Sequence, residues 1–137
     1  MIIKKHHKPK YWEKAKSFLI KKDQTLKEVI CKVDDDKFLK RTCTGFQTLA
    51  NAIIGQQISI LAADSITKKI HENIGRISIK NINSAPEDKL RKSGLSYRKI
   101  KYLKDLSKLA SEKPNYFSNL NKLDDDNVVA ELCKLYG

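Results

Sequence analysis

The sequence predicts an all-α protein, a compact array of about six to eight short helices, because three observations agree. Almost every segment with an apolar period has the helical one, and residues suited to capping helices stand before most of these segments. Alternation of the strand type is confined to Ile77 and Ile79, which is too little for a strand.

Taken in order, Tyr11, Ala15, Phe18 and Leu19 share one face of a first helix over 10–21, and Trp12 on the same segment reads as a packing residue. Asp23 caps a short second helix that carries Leu26, Val29 and Ile30, and Asp34-Asp35-Asp36 breaks the pattern before Phe38 and Leu39. The strongest helix follows. Phe46, Leu49, Ala50, Ile53 and Ile54 fall on a single face, Thr44 and Gln47 are spaced as a capping box, and Gly55 lets the chain leave the helix. Ser59 caps the next helix, in which Ile58, Ala62, Ile66 and Ile70 repeat every four residues to a stop at Asn73-Ile74-Gly75. A second capping box is expected at Ser84-Ala85-Pro86-Glu87, with Pro86 in the first turn of a short helix ending at Gly94.

Ser96 begins a helix whose apolar face is Ile100, Leu103, Leu106, Leu109 and Ala110, and Pro114 closes it. Tyr116, Phe117, Leu120 and Leu123 read as anchors of an irregular link. Asp124 then caps a last helix with Val128, Val129, Leu132 and Leu135. With no repeat, low-complexity tract or flexible linker, residues 1–137 read as one helical domain with a basic tail over 1–9.

The formal net charge of +12 favours a polyanionic partner, since lysines and arginines that neutralise phosphates release counterions. The excess is concentrated: residues 1–22 hold eight lysines against one acid, Glu13. No apolar run is long enough for a membrane span and the N-terminus lacks a signal-peptide core, so a cytoplasmic protein is expected. Cys31, Cys43 and Cys133 are widely spaced and suit free thiols. They and His6, His7 and His71 lack the spacing of metal ligands, so no metal site is expected.

Two places carry candidate sites. Gln56 and Gln57 sit on a tight connection between two helices, where they either cap helix ends or enter a DNA stack and bond an orphaned base. At Gly94-Leu95-Ser96-Tyr97-Arg98-Lys99, the amides of a helix N-terminus, the Ser96 hydroxyl and the Lys99 ammonium converge as a phosphate grip, or else form a plain cap with a solvated basic face. The runs Asp34-Asp35-Asp36 and Asp124-Asp125-Asp126 read as helix caps rather than as a catalytic or metal-binding set.

The ordered set of these pieces resembles the helix-hairpin-helix DNA glycosylases, in particular the 3-methyladenine DNA glycosylase II branch. The resemblance rests on Asp23 to Ile30, on Phe46 to Ser59 with its Gly-Gln-Gln-Ile-Ser ending, on Ala62-Ala63, and on Pro86 to Gly94. It continues through Gly94-Leu95-Ser96 with Arg98-Lys99 and through Leu123-Asp124-Asp125 before a terminal apolar helix.

That resemblance implies a base-excision repair enzyme that kinks duplex DNA, flips an alkylated base into a pocket and hydrolyses its glycosidic bond. It assigns Gln57 as the wedge left in the stack and Gln56 as its polar neighbour. Ser59, Ser96, Tyr97, Arg98 and Lys99 complete the DNA-binding set. The implied partner is double-stranded DNA with alkylated bases, bound by a monomer without cofactor or metal. In the family, the segment matching Leu135-Tyr136-Gly137 opens the DNA-anchoring hairpin, and the catalytic Asp follows some tens of residues later. The chain is therefore expected to be the N-terminal part of the fold, inactive alone, with the apolar faces of Phe46 to Ile54 and Val128 to Leu135 partly uncovered. The alternative from another class is a non-catalytic basic helical module that binds nucleic acid or a partner protein.

Overall fold

A computed structural model of the chain describes residues 8–33 and 42–135, and these residues form nine helices and no strand. They divide into two compact units, 1–42 and 43–137. The expectations for His6, His7, Asp34-Asp35-Asp36, Phe38, Leu39, Tyr136 and Gly137 lie outside the described residues. No described helix is long and apolar enough to cross a membrane.

The first unit is a helical hairpin, α1 (Trp12–Lys22) against α2 (Gln24–Lys32). The sharp turn between them has a clear cause: Asp23 is extended (φ −143°, ψ 120°) and its carboxylate accepts the Leu26 amide at 2.9 Å, capping α2 as expected. Neither helix buries a residue fully. Trp12 is half-buried rather than part of a core, because two helices alone have too little apolar surface to enclose it.

The second unit holds α3 (Gly45–Gly55), α4 (Ile60–Ile74), α5 (Ile79–Ser84), α6 (Glu87–Lys92), α7 (Tyr97–Glu112), α8 (Tyr116–Leu120) and α9 (Asp125–Leu132). The longest, α7, is its hub and packs on α3, α5 and α6, while α4 packs on α3 and α6. Its apolar stripe, Ile100, Leu103, Leu106 and Ala110, is buried against Phe46, Ala50, Ile53 and Ile54 of α3 and the inward residues of the shorter helices. The Thr44–Gln47 capping box forms in both directions: the Gln47 amide donates to Thr44 Oγ1 at 3.2 Å, and Thr44 N donates to Gln47 Oε1 at 3.0 Å. Gly45 begins α3 because a Cβ there would lie 2.7 Å from Phe117 Cδ1. Phe117 also meets Phe46 edge-to-face at a centroid distance of 6.4 Å, which joins α8 to the start of α3.

Several expectations are corrected. Helix α5 went unforeseen because Ile77 and Ile79 resemble a strand fragment. Ile77 is in fact a buried loop residue, and Ser78 caps α5 by accepting the Asn81 amide at 3.2 Å. The capping box at Ser84 is absent: Ser84 ends α5 and donates to Lys80 O at 2.9 Å, and Pro86 is the N-cap of α6 rather than part of its first turn, with no side-chain cap. Residues 116–120 are a short helix rather than an irregular link, so nine described helices replace the expected six to eight. On the apolar face of α3, Phe46, Ala50, Ile53 and Ile54 are at most 8% exposed under α7, while Leu49 is only partly buried. The expectation for α9 fares differently, because that helix buries no residue.

Candidate nucleic-acid interface

The corner between α3 and α4 is built by an unusual backbone. Gly55 is the last residue of α3 and Gln56 is its C-cap, with the Gln56 amide donating to Ala52 O at 3.1 Å. Gln56 (φ −56°, ψ 131°) is followed by Gln57 at φ +58°, the order of conformations in a type II turn, whose third residue is ordinarily Gly. Gln57 is the one described non-glycine residue with positive φ. The conformational break thus falls on Gln57 and not on Gly55, which the sequence had marked as the exit. A left-handed L-residue costs roughly 1–2 kcal/mol, so the turn holds an exposed amide side chain at its tip against its own preference. Ser59 ends the corner as N-cap of α4, its Oγ accepting the Ala62 amide at 3.2 Å.

The start of α7 faces the same corner. Gly94 (φ +95°) turns the chain after α6, buried Leu95 pins the turn to the core, and Ser96 Oγ accepts the Lys99 amide at 3.2 Å. Lys99 reaches back across the gap, its ammonium donating to Ile54 O at 2.7 Å and Gln56 O at 2.8 Å. Gln56, Gln57, Ser59, Ser96 and Lys99 are thereby gathered into one region, although Ser96 and Lys99 are engaged internally rather than open to a ligand. Arg98 is exposed and makes no hydrogen bond or ion pair to the described residues. Tyr97 is 70% exposed, and the Arg91 guanidinium lies 4.1 Å over its ring while Arg91 Nη1 donates to Leu95 O at 2.6 Å. Arg91 was missed by the sequence reading. Its spacing from Tyr97 across a loop carries no periodic signal.

Beside Gln56 a pocket of about 300 Å³ opens between α3 and α7, lined by Leu49, Ile53, Leu106, Leu109 and Leu135 with Asp105 at its side. The groups with displaced proton affinity lie elsewhere. Burial and the neighbouring Glu131 push the Tyr116 phenol above its ordinary value, and the Asn127 backbone amide holds the Asp124 carboxyl low. The hydrogen bond that the Lys134 ammonium donates to the Glu131 carboxylate raises Lys134. No cluster of three or more His, Cys, Asp or Glu able to hold a metal occurs among the described residues.

In this all-helical unit the basic α7 and the strained, amide-tipped corner meet at one end. The family model for the HhH-GPD superfamily of base excision DNA repair proteins matches residues 50–136, and the chain belongs to that family. No curated protein matches the sequence. Among solved structures, the chain is similar to a DNA-3-methyladenine glycosidase from Bacillus halodurans, with 22% identity and a TM-score of 0.70 over 90% of this chain and 57% of that one. It is likewise similar to a Schizosaccharomyces pombe 3-methyladenine DNA glycosylase in complex with abasic DNA, with 21% identity and a TM-score of 0.72 over 90% of this chain and 63% of that one. The chain therefore spans less than two thirds of either relative, and the likeness establishes the fold.

Proposed function

We propose that this chain is the DNA-facing part of an alkylpurine DNA glycosylase, in which the α3–α4 corner enters the duplex where a damaged base has been flipped out. The observation that carries the reading is Gln57. It is exposed, polar and held in the left-handed region at the tip of the turn between α3 and α4. A strained residue persists where its surroundings over-determine it, and such residues gather at functional sites. A Gln side chain has both a donor and an acceptor, so it can satisfy the edge of whichever base has lost its partner. The likeness to a glycosylase solved in complex with abasic DNA supports DNA with a missing base as the partner.

The chemistry follows from the lesion. An alkylated purine is cationic and leaves readily, and its glycosidic bond breaks through an oxocarbenium-like sugar that a carboxylate stabilises while water attacks. In this reading the chain's described residues supply binding and distortion. Arg98 and the first-turn amides of α7 face the DNA backbone, and Tyr97 with Arg91 stacked on it forms the flank. The reading carries a monomer at the nucleoid in the cytoplasm, without cofactor. It is tested on the native gene product incubated with methylated DNA. Release of methylated purine is expected, and release of uracil or oxidised bases instead would overturn the assignment to alkylated lesions.

A further inference from the structure

Lys99 holds a position that a phosphate-gripping lysine would not. Its ammonium lies 2.7 Å from Ile54 O and 2.8 Å from Gln56 O, two carbonyls at the C-terminal end of α3 that no further helical turn satisfies. A compact cation with three donors suits converging carbonyls, and the negative end of the helix dipole favours it. The same device recurs five residues on, where Lys104 Nζ donates to Asn83 O at 3.0 Å and also to Ala85 O, at the end of α5. Helix α7 thus presents two lysines to the C-terminal ends of two neighbouring helices. An ammonium already directed at two carbonyls has one donor left, and gripping a phosphate would draw it from the corner.

We infer that Lys99 is the positioning residue of the α3–α4 corner: it ties the carbonyls of Ile54 and Gln56 to α7 and so fixes the direction in which Gln57 projects. This rests on the wedge reading of Gln57 given above and extends it, since it moves Lys99 from the DNA contacts to the support beneath the wedge. The basic residue that meets the backbone is then its neighbour Arg98.

The test uses amide hydrogen exchange and duplex binding on the 137-residue chain. In Lys99→Met, which keeps the stem and removes both hydrogen bonds, the Gln56 amide bonded to Ala52 O should exchange at least about tenfold faster, the factor set by losing just one of the two at the weak end of the range for a charge-assisted bond. Leu103 in the core should not change. The dependence of log affinity on log salt should keep its slope in Lys99→Met and fall by about 0.9, one phosphate contact, in Arg98→Gln. The affinity lost in Lys99→Met should largely vanish in a Gln57→Ala background, because the two act through one element. Unchanged exchange at Gln56, a slope lowered by about one phosphate in Lys99→Met, or fully additive losses would each overturn the inference. If Gln57→Ala alone binds like the wild type, the wedge reading is what fails, and exchange at Gln56 then decides on Lys99 by itself. Should Lys99→Met not fold, Lys99→Gln, which retains an amide donor, is judged by the same exchange measurement.

Discussion

Replacing Gln57 with glycine separates the conformation of the corner from its chemistry. At φ +58° the wild-type residue gives up roughly 1–2 kcal/mol, which glycine recovers. Glycine also adds freedom to the unfolded chain, at a cost of roughly 0.5–1 kcal/mol. The difference leaves Gln57→Gly between neutral and about 1.5 kcal/mol more stable. For a unit the size of residues 43–137, a gain of 1 kcal/mol raises the melting temperature by about 4–8 °C. Gln57→Ala keeps the strain and loses only the amide, so its melting temperature should stay near the wild type. Both variants should bind an abasic duplex more weakly, since both lack the side chain that fills the gap. The assay is a pair of thermal melts beside a fluorescence-anisotropy titration. If both variants melt lower while binding as the wild type does, Gln57 is a helix-end cap and the reasoning from strain to function is refuted.

Other outcomes follow from the same geometry. Gly94→Ala should destabilise the protein by roughly 1–3 kcal/mol in denaturant melts, because φ is +95° and the new Cβ would lie 3.3 Å from Ile66 Cγ1. Gly45→Ala should lower the melting temperature by driving Phe117 out of its edge-to-face contact, and pairing it with Phe117→Leu should recover part of the loss. Tyr116→Phe should be neutral or stabilising by about 1 kcal/mol, since the phenol oxygen is buried without a partner among the described residues. The Tyr116 phenol is raised above its ordinary 10.0, so the folded state keeps that proton longer than the unfolded state does. Its contribution is complete below pH 10.0 and is lost as pH rises through the folded value, and the resulting alkaline decline should be smaller in Tyr116→Phe.

What the sequence disclosed were the elements whose signals are local. The Thr44–Gln47 box, the Asp23, Ser59, Ser96 and Asp124 caps, and the apolar stripes of α3 and α7 depend on residues within a turn or two of one another, and all of them form. Helix α5 escaped because six residues give too few turns for a period, and its Ser78 cap looks like any loop serine. The supposed box at Ser84 failed because that hydroxyl found a carbonyl behind it, at Lys80, before any amide ahead. The candidate site divided along the same line. Sequence order placed Gln56-Gln57 on a corner and Ser96 at a helix start. The left-handed turn at Gln57 and the reach of Lys99 across more than forty residues are products of tertiary packing, which no local pattern announces.

The central claim, that the α3–α4 corner reads a gap in the base stack, is tested most directly by comparing two duplexes of one sequence, one intact and one carrying a stable abasic site. The wild-type chain should bind the abasic duplex more tightly, and Gln57→Ala should erase that preference while leaving affinity for the intact duplex nearly unchanged. Equal wild-type affinity for the two duplexes, or a preference that survives in Gln57→Ala, would contradict it.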